Sequence, residues 1–141
     1  MKRPEEVKIE FTHAWIRKAE GDFRTGQHLL DEGKKEYVYG VVFHAQQAAE
    51  KYLKAFLVWH QIEFPKTHDI EVLLKLAAAA DAEIPEAMCE AADLTPYGVE
   101  YRYPGEYPDV TICDARKAID LAVLVRAEIL RRLPAGMLPS C

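Results

Sequence analysis

The feature that most constrains the fold is a long segment, residues 37–60, whose apolar residues follow helical spacing on two neighbouring stripes. The first stripe is Val38, Val42, Ala45, Ala49, Leu53 and Phe56, and the second is Val41, Ala48, Tyr52, Ala55 and Trp59. A helix that is apolar over so wide an arc must contact neighbours on more than one side. We therefore predict a central helix about 35 Å long, at 1.5 Å per residue.

The segments on either side of this helix also carry apolar residues at three- and four-residue spacing. In the first segment the apolar stripe is Phe11, Trp15, Ala19, Phe23, Gly26 and Leu30, and the opposite side carries Arg17, Lys18, Glu20 and Arg24. After the central segment we predict a helix capped by Thr67, a short helix from Pro85, and a last helix opened by the Thr111–Asp114 capping box.

No segment alternates polar and apolar residues for long enough to predict a strand. The expected fold is all-α, an up-and-down bundle of four to five helices. We expect one domain over residues 1–141, with its core at about residues 11–133, since 141 residues leave little room for a second.

Composition excludes several classes of function. With 18 basic and 23 acidic residues the net charge is −5, which argues against a binder of duplex nucleic acid. The charged start is unlike a signal peptide, and no apolar run is long enough to cross a membrane, so we expect a cytoplasmic protein. The three cysteines form no CxxC pair, and we expect Cys89 and Cys113 to pack as small apolar residues.

The usual signatures of catalysis and metal binding are absent from the sequence. There is no P-loop, nucleophile elbow or HExxH pattern, and the five histidines do not pair with carboxylates at metal-ligand spacing. We therefore predict no catalytic residue, no metal and no cofactor. His44 and His60 are expected to be packed or surface histidines.

A first candidate site is the segment Thr95–Val110, which we expect to be a long loop without regular structure. It contains Tyr97, Tyr101, Tyr103 and Tyr107, and Arg102 is the single base among eight acids in residues 81–110. A guanidinium between tyrosines offers a fork for phosphate and rings for stacking. The alternative is that Arg102 neutralises neighbouring acids while the tyrosines cover the surface.

A second candidate is the run from Lys66 to Asp69, at the predicted start of a helix. Backbone N–H groups there can bind an anion, with Lys66 adding charge and His68 a hydrogen-bond donor. The alternative is that Thr67 caps the helix and His68 contacts a neighbouring helix.

A third candidate is the polar stripe of the central helix, formed by Gln46, Gln47, Glu50, Lys51 and Lys54. It is either the solvent face of the helix or one wall of a groove opposite Arg102.

The central segment resembles a known family. The run YGVVFHAQQAAEKYLKAFL at residues 39–57 is similar to the central helix of HEPN domains (higher eukaryotes and prokaryotes nucleotide-binding), and Thr67-His68-Asp69-Ile70 resembles the turn that follows it. Arg102-Tyr103-Pro104 resembles an RYP element of one prokaryotic subgroup. The first segment is also similar, at Trp15, Ala19, Asp22 and Leu29-Leu30.

The resemblance implies a homodimeric helical bundle, which also fits the wide apolar arc of the central helix. It further implies a nucleotide- or polynucleotide-binding module, a partner of a minimal nucleotidyltransferase in a toxin–antitoxin-like pair. In that hypothesis Arg102 and Lys54 hold phosphate, His68 donates a hydrogen bond, Tyr97 or Tyr101 stacks on a base, and Lys51 and Glu50 belong to the same site.

Two alternatives to this hypothesis remain open at this stage. Many HEPN proteins are metal-independent ribonuclease toxins that use an arginine followed, after four to six residues, by a histidine. Here no histidine follows Arg102, so a ribonuclease would need a different arrangement of these groups. The other alternative is a dimeric scaffold without catalytic activity.

Overall fold

The computed structural model describes residues 1–99, 105 and 108–139, and every regular element in this part of the chain is helical. The helices are α1 (Pro4–Glu32), α2 (Val38–Trp59), α3 (Ile70–Ala77), α4 (Ile84–Ala87), α5 (Pro96–Val99) and α6 (Ile112–Arg132). Two 3₁₀ segments, Lys35–Tyr37 and Cys89–Leu94, lie between them. The predicted all-α bundle is confirmed. The expectation that residues 95–110 lack regular structure is wrong for their first part, which forms α5.

Helix α2 is the centre of the bundle, as its two apolar stripes predict. It contacts α1, α3, α5 and α6. The small residues Ala45, Ala48 and Ala49 are fully buried, which lets neighbouring helices approach its backbone closely. Within the described residues, no helix combines the length and the apolar character that crossing a membrane requires.

Helices α1 and α2 form an antiparallel pair. Gly33, in the left-handed conformation with φ of 68°, ends α1, and a short connection leads into α2. At one end of the pair Leu29 lies against Gly40, and at the other the Lys8 ammonium lies 4.0 Å from the centre of the Trp59 ring. This pairing sets which polar side chains of the two helices meet.

The buried stripe of α1 differs from the predicted one at its start. Phe11 is 59% exposed, whereas Thr12 and Ile16 are fully buried. Thr12 tolerates burial because its hydroxyl donates to the Lys8 carbonyl at 2.8 Å, which satisfies the polar group within the helix. Phe11 instead lines an open surface groove beside Val58.

Glu20 was expected on the outer side of α1 and is buried instead. It is 4% exposed, and its carboxylate accepts hydrogen bonds from the Tyr52 hydroxyl at 2.5 Å and from Arg126 Nε at 2.6 Å. Burial alone would raise the pKa of Glu20, but the hydrogen bonds from Arg126 and Tyr52 outweigh it and hold the pKa below its ordinary value. These three residues, the Glu20 triad, join α1, α2 and α6.

Two further expectations from the sequence are wrong, and one is confirmed. Helix α3 begins at Ile70, and its cap is Asp69, whose side chain accepts from the Glu71 N–H; Thr67 instead accepts from the Asp69 N–H. Cys89 and Cys113 are exposed, because the inward positions of their helices are taken by neighbours such as Ala91 and Ala115. The Thr111–Asp114 capping box at the start of α6 is confirmed.

Candidate functional site

A buried carboxylate on α2 collects the polar groups around it. Glu50 is 3% exposed, and its carboxylate accepts hydrogen bonds from Gln46 Nε2 at 2.9 Å, Lys54 Nζ at 2.6 Å and His68 Nδ1 at 3.0 Å. Gln46 and Lys54 lie one helical turn before and after Glu50, whereas His68 comes from the turn that precedes α3. We call these four residues the Glu50 cluster.

The Glu50 cluster holds its carboxylate in the charged form. Burial alone would raise the pKa of Glu50, but the hydrogen bonds from Lys54, Gln46 and His68 outweigh burial, and the pKa lies below its ordinary value of 4.5. Of the two interpretations of the α2 polar stripe, the solvent face therefore fails for Glu50 and Lys54, which are both buried.

His68 is the member of the Glu50 cluster that reaches solvent. Its side chain is 55% exposed, although Nδ1 is held by Glu50 and its backbone carbonyl accepts from Gln46 Nε2 at 3.3 Å. A ring fixed at Nδ1 by a carboxylate has a defined orientation, and no described residue bonds the other ring nitrogen, Nε2, which can therefore meet a ligand. The sequence suggested His68 as a donor but did not predict its partner.

Lys54 lies beneath aromatic rings rather than in the open. Its side chain is 10% exposed, and its ammonium lies 5.5 Å from the centre of the Trp15 ring and 5.7 Å from that of Phe64. The ammonium also donates to Glu50, so it neutralises the buried carboxylate. A direct contact of Lys54 with phosphate stays a prediction.

Helix α5 covers the Glu50 cluster on the side of Gln46. A Cβ atom at Gly98 would lie 2.9 Å from both Cδ and Oε1 of Gln46, so any larger residue at this close approach would force the Gln46 amide to shift. The neighbouring Tyr97 is half-buried and lines a small cavity of about 150 Å³ with α6 residues such as Asp114 and Lys117. The structure thus places Tyr97 against α6.

This close approach predicts the effect of a methyl group at residue 98. We expect Gly98→Ala to lower the free energy of unfolding by about 1–3 kcal/mol, because the Gln46 amide, which is fully buried and bonded to Glu50, would have to shift. The matched control is Gly21→Ala on α1, where nothing lies within 4 Å of the added Cβ. Urea denaturation of both variants measures the difference, and equal stability would contradict the packing described for Gly98.

A second polar cluster joins α1 and α2 around Asp22, which the sequence did not single out as a site residue. The Asp22 carboxylate binds His44 Nδ1 at 2.8 Å through one oxygen and the Lys51 ammonium through the other. Lys51 is thereby held to Asp22, not to Glu50. Only the register of α1 against α2 could have revealed this contact. We call Asp22, His44 and Lys51 the Asp22 cluster.

Arg102 and Tyr101 lie outside the described residues, so their roles stay predictions. His60 packs its ring against Phe56 at a centroid distance of 4.4 Å, and burial lowers the pKa of its imidazole. No group of His, Cys, Asp and Glu side chains in residues 1–99, 105 and 108–139 is arranged to hold a metal ion.

A family model described as "HEPN domain" matches residues 12–133, which is most of the chain. The matched range contains α2, α3 and α6 in full and both polar clusters. No curated protein and no solved structure matches the chain.

Proposed function

Because the chain belongs to the HEPN domain family, whose membership indicates a nucleotide- or RNA-related role, we propose that it binds nucleotides or polynucleotides at the Glu50 cluster. The observation that supports this most is His68: a half-exposed imidazole whose Nδ1 is held by a buried carboxylate. In this proposal His68 Nε2 contacts the phosphate of the ligand. Glu50 orients the ring, and Lys54 neutralises Glu50.

The pair of Glu50 and His68 is suited to binding a phosphate. An imidazole that carries both ring protons donates from both nitrogens, so a ring bound to Glu50 through Nδ1 can donate to a phosphate oxygen through Nε2. Because the ring is already oriented, binding costs less side-chain entropy than it would for a free surface histidine. The net charge of −5 gives no general attraction for nucleic acid, so affinity must come from such local contacts.

The proposal also includes Arg102, Tyr101 and Tyr97, because the sequence predicts them as ligand residues. Arg102 would hold phosphate as a bidentate donor, and Tyr101 or Tyr97 would stack on a base.

We expect His68→Ala to weaken binding about tenfold to a hundredfold, because the loss of one charge-assisted hydrogen bond costs about 1.5–3 kcal/mol. The measurement is isothermal titration at low salt with AMP, ATP, GTP and a single-stranded octauridylate. At least one of these ligands should bind the unmodified chain.

The control for this variant is His28→Ala, which removes another histidine whose side chain is 73% exposed, on α1. It should bind as the unmodified chain does. The proposal is wrong if no ligand gives heat at millimolar concentration, or if the His68 and His28 variants bind equally well.

A metal-independent ribonuclease is a second candidate, favoured by the same carboxylate–imidazole pair. A histidine oriented by a carboxylate is a common arrangement for general acid–base catalysis, and cleavage of RNA needs such a group near the 2′-hydroxyl. Incubation of the pure protein with total RNA in EDTA tests this. Cleavage that is lost in His68→Ala supports it, and intact RNA removes it.

A homodimer and a nucleotidyltransferase partner complete the proposal. Large apolar side chains on the surface, among them Ile9, Val123 and Leu138, are consistent with an interface. Light scattering should give twice the chain mass of 16.0 kDa, and a monomer would contradict the dimer.

Co-expression with a minimal nucleotidyltransferase encoded beside this chain should yield a complex, and separate elution of the two proteins would remove that partner.

A further inference from the structure

An exposed aromatic ring lies next to the Asp22 cluster. Phe43 is 39% exposed, although most residues of its helix, α2, are buried. Its ring meets that of His44 edge to face, with centroids 5.4 Å apart and an interplanar angle of 76°. The contact therefore fixes the position of the Phe43 ring and still leaves much of it open to solvent.

The Asp22 cluster presents hydrogen-bond donors beside this ring. His44 is bonded at Nδ1, and every buried side-chain nitrogen or oxygen in the described residues has a partner. Because Nε2 of His44 has no partner among those residues, it must reach solvent. The ammonium of Lys51 donates one hydrogen to Asp22 and has two more to donate. Lys18, one turn before Asp22 on α1, is exposed and adds positive charge.

These groups match the parts of an unpaired nucleotide. A base stacks on an exposed aromatic ring whatever its identity, and a phosphate accepts hydrogen bonds from imidazole and ammonium groups. The Asp22 carboxylate holds both donors in place, because one of its oxygens bonds His44 and the other bonds Lys51.

The Asp22 cluster is separate from the site at His68. His44 and Glu50 are six residues apart on α2, which is about 9 Å along the helix axis and 120° around it. A hydrogen bond spans about 3 Å, so one phosphate group cannot bond His44 and a histidine held at Glu50 together. A ligand that occupies both sites must carry at least two phosphates along a chain.

We infer that Phe43, His44 and Lys51 form a second subsite, which takes a further nucleotide along a single-stranded polynucleotide bound at His68. This inference rests on the proposed function and names its ligand class. Phe43 stacks on the base, and His44 and Lys51 bind the adjacent phosphate. The preferred ligand is then an unpaired strand of several nucleotides, not a free mononucleotide.

The test compares two probes, fluorescein-labelled octauridylate and uridine monophosphate, on variants of the proposed subsite, on matched controls and on His68→Ala. Phe43→Ala and His44→Gln remove groups of the proposed subsite. Phe11→Ala and His28→Gln are their matched controls, since Phe11 is 59% exposed and the His28 side chain 73% exposed elsewhere on α1. Fluorescence anisotropy measures octauridylate binding, and calorimetry measures binding of the monophosphate.

We expect Phe43→Ala to weaken octauridylate binding about tenfold, as loss of one stacking platform does, and His44→Gln to weaken it to a similar extent. Phe43→Tyr keeps the ring and should bind octauridylate as the unmodified chain does. This comparison separates the loss of stacking from any loss of stability in Phe43→Ala. Binding of uridine monophosphate should be weaker throughout and unaffected by these substitutions.

Other results overturn the inference in distinguishable ways. If octauridylate binding depends on His68 but not on Phe43 or His44, the second subsite is wrong and the proposed function stands. If neither probe binds the unmodified chain, the second subsite and the proposed function are both wrong. If Phe43→Ala turns a dimer into a monomer by light scattering and leaves octauridylate affinity unchanged, this face is an interface between two copies of the chain.

Discussion

Replacing Glu50 with glutamine is expected to lower the free energy of unfolding by about 3–5 kcal/mol, the usual cost of breaking a buried ion pair by removing one partner. The ammonium of Lys54, whose side chain is 10% exposed, would lose its counter-charge and could not return to water without displacing Trp15 and Phe64. For a chain of this length the melting temperature should fall by roughly 10–15 °C. Urea denaturation and thermal melting both measure the effect.

Two further variants make this prediction specific. Glu71→Gln removes a carboxylate from the exposed pair with Lys75 on α3, and stability should change by no more than about 0.5 kcal/mol. Adding Lys54→Met to Glu50→Gln removes the unpaired charge and should restore much of the lost stability. If Glu50→Gln were as stable as Glu71→Gln, the buried ion pair between Glu50 and Lys54 would not stabilise the fold.

The pH dependence follows from the same carboxylate. The folded-state pKa of Glu50 lies below the ordinary value of 4.5, so its contribution to stability is fully present above that value. The contribution is lost as the pH falls through the folded-state pKa, because protonation then favours the unfolded chain. The stability difference between the unmodified chain and Glu50→Gln should therefore be constant near neutral pH and shrink in acid.

The second large effect is expected at the Glu20 triad. Glu20→Ala should lower the free energy of unfolding by about 2–3 kcal/mol, because it leaves the hydroxyl of Tyr52, which is fully buried, without its acceptor. The Arg126 side chain is 27% exposed, so water can solvate part of its charge and moderate the loss. Burial and the bond to Glu20 raise the pKa of the Tyr52 phenol, so Tyr52 stays a neutral donor at any ordinary pH.

The contacts of the Glu20 triad also predict which variants lose more stability than others. Tyr52→Phe removes one hydrogen bond but leaves Glu20 paired with Arg126, so it should cost less than Glu20→Ala, about 1 kcal/mol. The control is Glu10→Ala on the same helix, a carboxylate 55% exposed and paired with an exposed lysine, which should be nearly neutral. A Glu20→Ala variant as stable as Glu10→Ala would show that the buried contacts at Glu20 do not stabilise the fold.

The fold was predictable because its strongest signals are local. The two apolar stripes of α2, the glycine that ends α1 and the capping box of α6 depend only on residues within a few positions of each other. The error at the start of α1 has a local cause as well. A hydroxyl that bonds its own helix can be buried where an aromatic ring is exposed, so Thr12 is buried and Phe11, which was predicted in the apolar stripe, is exposed.

The candidate site was only partly predictable because its contacts join distant parts of the chain. The spacing of Glu50 and Lys54 is that of an ordinary surface pair, and only their packing beneath Trp15 and Phe64 shows that it is buried. His68 was identified by its position before a helix, but the partner at its Nδ1 lies 18 residues away on α2. Asp22 and His44 meet only through the register of α1 against α2, which no local pattern specifies.

The central claim is that Glu50 holds His68 so that Nε2 contacts the phosphate of a nucleotide ligand. Long-range ¹⁵N–¹H NMR spectra of the imidazole rings, recorded during titration with octauridylate, test it most directly. We predict that the Nδ1 proton of His68 persists throughout, that the Nε2 resonance of His68 shifts on binding, and that both nitrogens of His28 stay unchanged. A His68 ring that shifts no more than that of His28, while octauridylate binds, would contradict the claim.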